Sequence, residues 1–452
     1  MAYITATPED RQAMLARIGA PDIEALLADL PTSARVRGLL DIPAPLSELE
    51  LAREMTARAS ENRTVADTAS FLGGGAYDHF IPSALRSILS KPEFFTTYTP
   101  YQAEVSQGLL QSIYEFQSLI AKLTGMDVAN ASLYDGATAL AEAAFMAHAV
   151  TGRPEIVVVR SVNPNWRDVL RTQTARSGVS VREVAFAKDG AVDHSALRGA
   201  LSDRTAGVVF ASPNFLGALE AGGEIVRAAH DAGALAIQCF HPTSLALLAT
   251  PGEWGVDIAV GEGQPLGIPL SYGGPYAGLF CARKEHVRRM PGRLIGRTVD
   301  TKGRRAYVMT LQTREQHIRR ANATSNVCTN QALCALAATV YVALMGPRGL
   351  RDVAQTAFAR AHALLARLES TGVVRRSTTA PFWNEFAVDI DPALWKRGLL
   401  AHLQAKGIFP GIPLAPLYPE MPSSLLVAAT ETTTERAIGQ YADALAAFAK
   451  GA

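Results

Sequence analysis

Cysteine is scarce in this chain of 452 residues: Cys239, Cys281, Cys328 and Cys334 are its full complement, and no two form a Cys-x-x-Cys pair or a metal-ligand cluster. That pattern argues against a disulfide scaffold and for buried thiols in a reducing cytosol. An excess of either charge is also missing, since 43 Lys and Arg face 42 Asp and Glu. No global field would draw the chain to nucleic acid or to a membrane surface. The opening Met1-Ala2-Tyr3-Ile4-Thr5 has neither the basic nor the apolar region of a secretion signal. Residues 321–347 carry no charge, but they include Asn322, Asn326, Asn330 and Gln331, and their apolar half is mostly alanine. A lipid-facing helix wants about 20 predominantly apolar residues, so this stretch reads as a loop followed by a buried helix. No GxSxG, Walker loop or post-strand GxGxxG occurs, which sets aside hydrolase, nucleoside-triphosphatase and dinucleotide readings. His79 and His241 have no ligand-spaced neighbours, which argues against zinc. The expectation is a soluble, cytoplasmic protein with no nucleic-acid or membrane partner.

What is present is a long chain with 48% hydrophobic and 19% charged residues. Its length exceeds that of a single growing core, so two or more lobes are expected. Residues 1–65 read as a helical arm: Thr7 caps a helix whose first residue is Pro8 and whose third is Asp10, with Met14, Leu15 and Ile18 as its stripe. Such an arm packs on a partner or on the main lobe.

Residues 66–328 read as a large α/β domain. Three consecutive glycines, Gly73 to Gly75, make the segment 71–80 a loop. Thr99, Pro100 and Gln102 then predict a capping box and a helix carrying Val105, Leu109, Ile113, Phe116, Ile120 and Leu123 on one face, ended by Gly125. Short β-branched runs at 156–159, 179–184, 207–210, 235–237 and 258–260 alternate with helical stretches at 138–149, 166–177 and 223–232. That alternation predicts a mostly parallel sheet covered on both faces, with ligands beyond the carboxyl ends of its strands. Residues 329–452 begin with an Ala-rich helix broken at Gly346-Pro347, continue with an amphipathic helix over 351–368, and contain strand-like 384–388 and 424–429 around a helix near 394–406. They read as a smaller α+β domain.

Three segments are candidates to carry chemistry. Asp135-Gly136-Ala137-Thr138 precedes a helix, where backbone N–H groups suit a phosphate or a carboxylate, or merely start the helix. The Gly- and Pro-rich stretch 261–276 follows a buried strand and is too long for a simple turn, so it reads as a site or a subunit interface. His317, within Arg314-Glu315-Gln316-His317-Ile318-Arg319-Arg320, lies on a solvated helix face or on an anion-facing surface at a subunit contact.

The blocks FLGGGAYDHFIPSALRSIL, FFTTYTPYQAEVSQGLLQSIYEFQSLIAKLTGM, VGEGQPLGIPLSYGGPYAG and LQTREQHIRRANATSNVCTNQALCAL together resemble the glycine dehydrogenase (decarboxylating) family, over about residues 5 to 445. The resemblance implies the fold type I architecture of pyridoxal-phosphate-dependent transferases. It also implies a lysine that holds the cofactor after a buried strand. That position falls on Gln264, and no lysine occurs between Lys188 and Lys284. An amide nitrogen has a delocalised lone pair and cannot form a Schiff base. Active members also carry an acid that partners the pyridinium nitrogen, whereas Ala236-Ile237-Gln238-Cys239-Phe240-His241-Pro242 has none. The chain therefore resembles the α subunit of the split enzyme. It implies a lysine-bearing β subunit holding pyridoxal phosphate in an expected α2β2 assembly, glycine as substrate, and a lipoylated H-protein as acceptor of the aminomethyl group. Thr97, Tyr98, Tyr101, Gln102, Gly273 and Gly274 are the candidates to reach the partner's active site. The alternative is a docking subunit with no residue there.

Overall fold

The computed structural model describes residues 6–36, 38, 40–95 and 98–451. They cluster into two compact units, Met1–Arg63 and Thr64–Ala452. In the first unit, α1 (Pro8–Ile18) begins with the expected capping box: the Asp10 N–H donates to Thr7 Oγ1, and the Thr7 N–H donates back to Asp10. A second box, Ser47 with Glu50, opens α2 (Glu48–Ser60). No described residue of this unit is buried, and Met14, Ile18, Leu49, Leu51 and Met55 lie open to solvent.

In the second unit, α3 (Gln107–Thr124) buries Leu110, Ile113, Phe116 and Ile120 and ends at Gly125 in the left-handed conformation. Its start differs from expectation. Thr99 and Pro100 lie outside any helix, and Gln102 precedes only a 3-10 turn, Ala103–Val105, leaving Val105 exposed. The reason is tertiary. The Gln107 amide exchanges two hydrogen bonds with the backbone of Tyr307, accepting from its N–H and donating to its carbonyl at 2.8 Å each. That clasp fixes where the helix can begin and overrides the local capping signal.

The alternating region builds a seven-stranded sheet. It comprises β1 (Val128–Ala129), α4 (Gly136–Thr151), β2 (Glu155–Val159), α5 (Pro164–Thr174), β3 (Ser180–Val184), β4 (Thr205–Ser212), α6 (Gly222–Asp231), β5 (Leu235–Phe240), β6 (Ile258–Glu262) and β7 (Gly278–Ala282). The order is β1-β7-β6-β5-β4-β2-β3. The ladders from β6 through β3 are parallel, and β7 runs antiparallel to both neighbours. Both faces are covered: Val157 and Val159 enter one core cluster while Ile156 and Val158 enter the other. This is why the strands read as unbroken β-branched runs rather than alternating ones.

The long helix α7 (Ala332–Glu369) is interrupted at Gly346, as the Gly-Pro pair predicts. By length and composition it could span a membrane, but Ala335, Leu336, Ala338 and Tyr341 are packed in the core. It leads to a four-stranded antiparallel sheet of β8 (Val374–Arg376), β9 (Glu385–Ile390), β10 (Ile412–Pro413) and β11 (Ser424–Ala428), in the order β8-β9-β11-β10. The chain closes with α8 (Glu435–Lys450).

Candidate functional site

The parallel strands β4, β5 and β6 end at Ser212, Phe240 and Glu262. Beyond those ends lies a cavity of about 70 Å³, lined among others by Tyr77, Trp166, Phe215, His241, Glu262 and Glu385. This is the place where open α/β sheets bind ligands. Among the described residues no lysine or arginine lines it.

Gln264 sits just behind the cavity and is 1% exposed. Its carboxamide is saturated: Oε1 accepts the Tyr77 N–H at 2.9 Å, and Nε2 donates to the carbonyls of Tyr77 at 2.9 Å and Ile268 at 2.8 Å. Only a group that both donates and accepts can make this set. A glutamine does so and a lysine cannot.

Glu262, at the last position of β6, points its carboxylate at the start of α4. Oε2 accepts the Gly136 N–H at 2.9 Å, and Oε1 accepts the N–H groups of Gln264 at 3.0 Å and Ala277 at 3.2 Å. Asp135 caps the same helix through the Thr138 N–H at 2.7 Å. Burial raises the Glu262 pKa to about 7, against the lowering effect of these three donors. Gly136 is required here for space, because a Cβ would lie 2.3 Å from the Trp166 ring. The anion-suited helix start read from the sequence is real, and the chain fills it with its own carboxylate.

The opposite wall comes from the glycine loop and β9. Glu385 accepts the Gly74 N–H at 2.7 Å and the Tyr77 hydroxyl at 2.9 Å, and its burial lifts the carboxyl pKa to about 7. Gly217, in the left-handed region, lets this strand approach, since a Cβ there would lie 1.9 Å from the Glu385 carbonyl. His79 pairs with Glu431 at 2.8 Å. Its ring lies 6.2 Å from that of His241, so two histidines that stand alone in sequence share one corner. Both His241 nitrogens are sealed from solvent without a hydrogen-bond partner among the described residues. Its ring edges onto Tyr77 and Trp383 at 4.9 Å. Burial, helped by His79, holds its pKa well below the usual imidazole value, so it is neutral. Gln238, where an acid was sought, is fully buried with neither amide atom bonded among the described residues. Glu262, Glu385, Tyr77 and Trp166 were not singled out from sequence; only the placement of Glu262 after a buried strand and before a Gly-rich stretch could have marked one of them.

The other predicted residues lie elsewhere. Thr97 falls outside the described residues. Tyr98 is 76% exposed and Tyr101 54% exposed. The Tyr101 ring meets His317 edge-on at 5.7 Å, with the Arg293 guanidinium 5.9 Å from its centre, so the charged block around His317 and the tyrosine loop do come together. Gln102 is exposed. Gly273 and Gly274 both have positive φ and follow Ser271 and Tyr272, which are also left-handed. Gly273 lines a separate cavity of about 230 Å³ with Tyr272, Tyr276, Asp78 and Thr432. No described hydrogen bond or ring contact joins this loop to Tyr98 or Tyr101.

The sheet, its helices and the position of the cavity define the fold of the fold type I pyridoxal-phosphate-dependent transferases. A family model for the glycine cleavage system P-protein matches residues 1–445, and the chain belongs to that family. The probable glycine dehydrogenase (decarboxylating) subunit 1 of Moorella thermoacetica is 48% identical over 453 residues, covering 100% of this chain and 99% of that protein. Its counterpart in Desulfitobacterium hafniense is 46% identical over 440 residues, covering 97% and 98%. An inhibitor-bound crystal structure of glycine decarboxylase, the P-protein of the glycine cleavage system, superposes with a TM-score of 0.88 at 40% identity, covering 99% of this chain and 100% of that one. A sphingosine-1-phosphate lyase of Burkholderia pseudomallei (TM-score 0.68, 16% identity, 93% and 94% covered) shares the fold.

The residues of this chain's own cavity do not fit pyridoxal phosphate. The helix start that suits a phosphate already holds Glu262 under the Trp166 ring. At Gln264, where the resemblance leads one to expect the lysine, stands a carboxamide whose oxygen and nitrogen are both hydrogen-bonded.

Proposed function

We propose that this chain is the cofactor-free α half of a glycine-decarboxylating enzyme and acts only with a lysine-bearing β subunit. The observation that carries the reading is the absence of lysine from 189 to 283, together with the fully bonded Gln264 at the expected anchor. In the pair, pyridoxal phosphate belongs to the partner and serves there as the electron sink for loss of CO₂ from glycine. The aminomethyl group then passes to the lipoyl arm of an H-protein. An α2β2 cytoplasmic assembly fits this division of labour, and within the second unit residues 66–328 and 329–452 are taken as a large and a small domain.

Surfaces on both units support a partner. Among its described residues the first unit has none buried and many open apolar ones, so covering them would stabilise it. On the second, Tyr98 is exposed, and exposed Tyr101 stands beside His317 and Arg293. We place Thr97, Tyr98, Tyr101 and Gln102 at the partner's active site, with Gly273 and Gly274 on a second approach. There Tyr101 would orient bound substrate and exclude water, with Arg293 supplying positive charge behind it. A docking role without active-site contact is favoured by one observation: the Tyr101 ring is already held within its own chain.

The test is to express the chain alone and with a lysine-bearing partner, then measure glycine–CO₂ exchange with lipoylated H-protein. The reading expects exchange only from the pair. Exchange catalysed by the lone chain would overturn it.

A further inference from the structure

We infer that the Glu262 carboxyl is a built-in occupant that keeps the phosphate seat of this chain closed, so that the cofactor's phosphate is left to the partner subunit. This rests on the reading above. The seat is the start of α4, a helix of 16 residues, whose unbonded N–H groups and dipole favour negative charge. In a helix of this kind after a glycine turn, a bound phosphate would draw its donors from that first turn. Here the Gly136 N–H is taken by Glu262 Oε2 at 2.9 Å, and the N–H groups of Gln264 and Ala277 converge on Oε1. Asp135 takes the Thr138 N–H.

Occupancy decides the matter. The carboxyl is buried, and its partners among the described residues are three backbone N–H groups. A phosphate brought to the same donors would have to displace it from beside the Trp166 ring, which leaves no room at Gly136 even for a Cβ. Gln264 reinforces the closure by tying the segment after Glu262 to Tyr77. The lysine position and the phosphate position are thus each filled by a side chain of the chain itself, from residues two apart.

The test compares the full chain with its Glu262→Ala and Glu262→Ser variants. The probes are inorganic phosphate, followed by thermal melting, and pyridoxine 5′-phosphate, followed by equilibrium dialysis. The second probe lacks the aldehyde and so cannot react with surface lysines. Removing the carboxylate leaves three N–H groups facing a vacated space. The variants are expected to gain a phosphate-dependent rise in melting temperature of a few degrees and to retain pyridoxine 5′-phosphate at least about ten-fold more tightly than the parent chain. Glu262→Ser leaves a small acceptor in place and keeps the test open if Glu262→Ala does not fold. Binding of either probe by the parent chain, or no gain in a folded variant, would overturn the inference. Neither result bears on whether glycine exchange needs a partner, which the exchange assay decides separately.

Discussion

Gln264 and Tyr77, 187 residues apart, hold one another through a reciprocal pair of hydrogen bonds, each 2.9 Å long. The pair clasps two glycine-rich segments together. On the proposed reading, in which Gln264 stands where a cofactor lysine would, a lysine placed there is expected to break the clasp without restoring cofactor binding.

Gln264→Lys is expected to destabilise the chain by about 2–4 kcal/mol. It leaves the Tyr77 N–H without an acceptor and buries an ammonium without a carboxylate partner of its own. Thermal or urea unfolding measures the loss. The purified variant is expected to show no visible absorption band from a bound cofactor.

Stability should rise as pH falls from 7.5 to 5.5. Glu142, Glu220, Glu262 and Glu385 all have pKa values raised to about 7 by burial, above their ordinary carboxylate value in the unfolded chain. Through that window the folded state binds more protons than the unfolded one, so the contribution is complete below the unfolded pKa and is lost as pH climbs through 7. The effect is on the order of 1–3 kcal/mol per group. Glu431 has the opposite sign. Burial raises its pKa, but the hydrogen bond to His79, attraction to that ring and backbone N–H donors together lower it by more, for a net depression, so its contribution fades only in more acidic solution. Melting curves at half-unit pH steps would show the maximum below pH 7, and Glu220→Gln should flatten the slope.

Gly136→Ala is expected to cost about 1–3 kcal/mol, as overpacking does, because the new Cβ would meet the Trp166 ring at 2.3 Å. Pairing it with Trp166→Leu should recover part of the loss. Equal losses in the single and double variants would place the strain elsewhere.

Tyr101→Ala in the reconstituted pair is expected to lower glycine–CO₂ exchange by at least about ten-fold, or 1.4 kcal/mol, with subunit association retained by size exclusion. Unchanged exchange would leave Tyr101 as a packing residue for His317 and Arg293.

The fold was legible because its strands announce themselves. β-branched runs such as 156–159 and 258–260 are buried on both faces, and helices such as α3 and α4 end at left-handed glycines, Gly125 and Gly152. The start of α3 was not legible, because Gln107 is fixed by Tyr307, 200 residues away. The cavity walls were hidden for the same reason. Glu385 reaches Gly74 and Tyr77 across more than 300 positions, and nothing local to Glu385 distinguishes it from a surface acid. The anion seat was half legible: Gly136 marked the helix start, but its occupant comes from another strand end.

The most direct test of the central claim is intact-mass analysis of each subunit after borohydride reduction, for the chain expressed alone and for the chain copurified with its lysine-bearing partner. The account predicts an unmodified mass for this chain in both samples and a single pyridoxyl adduct on the partner. A stoichiometric adduct on one lysine of this chain would contradict it.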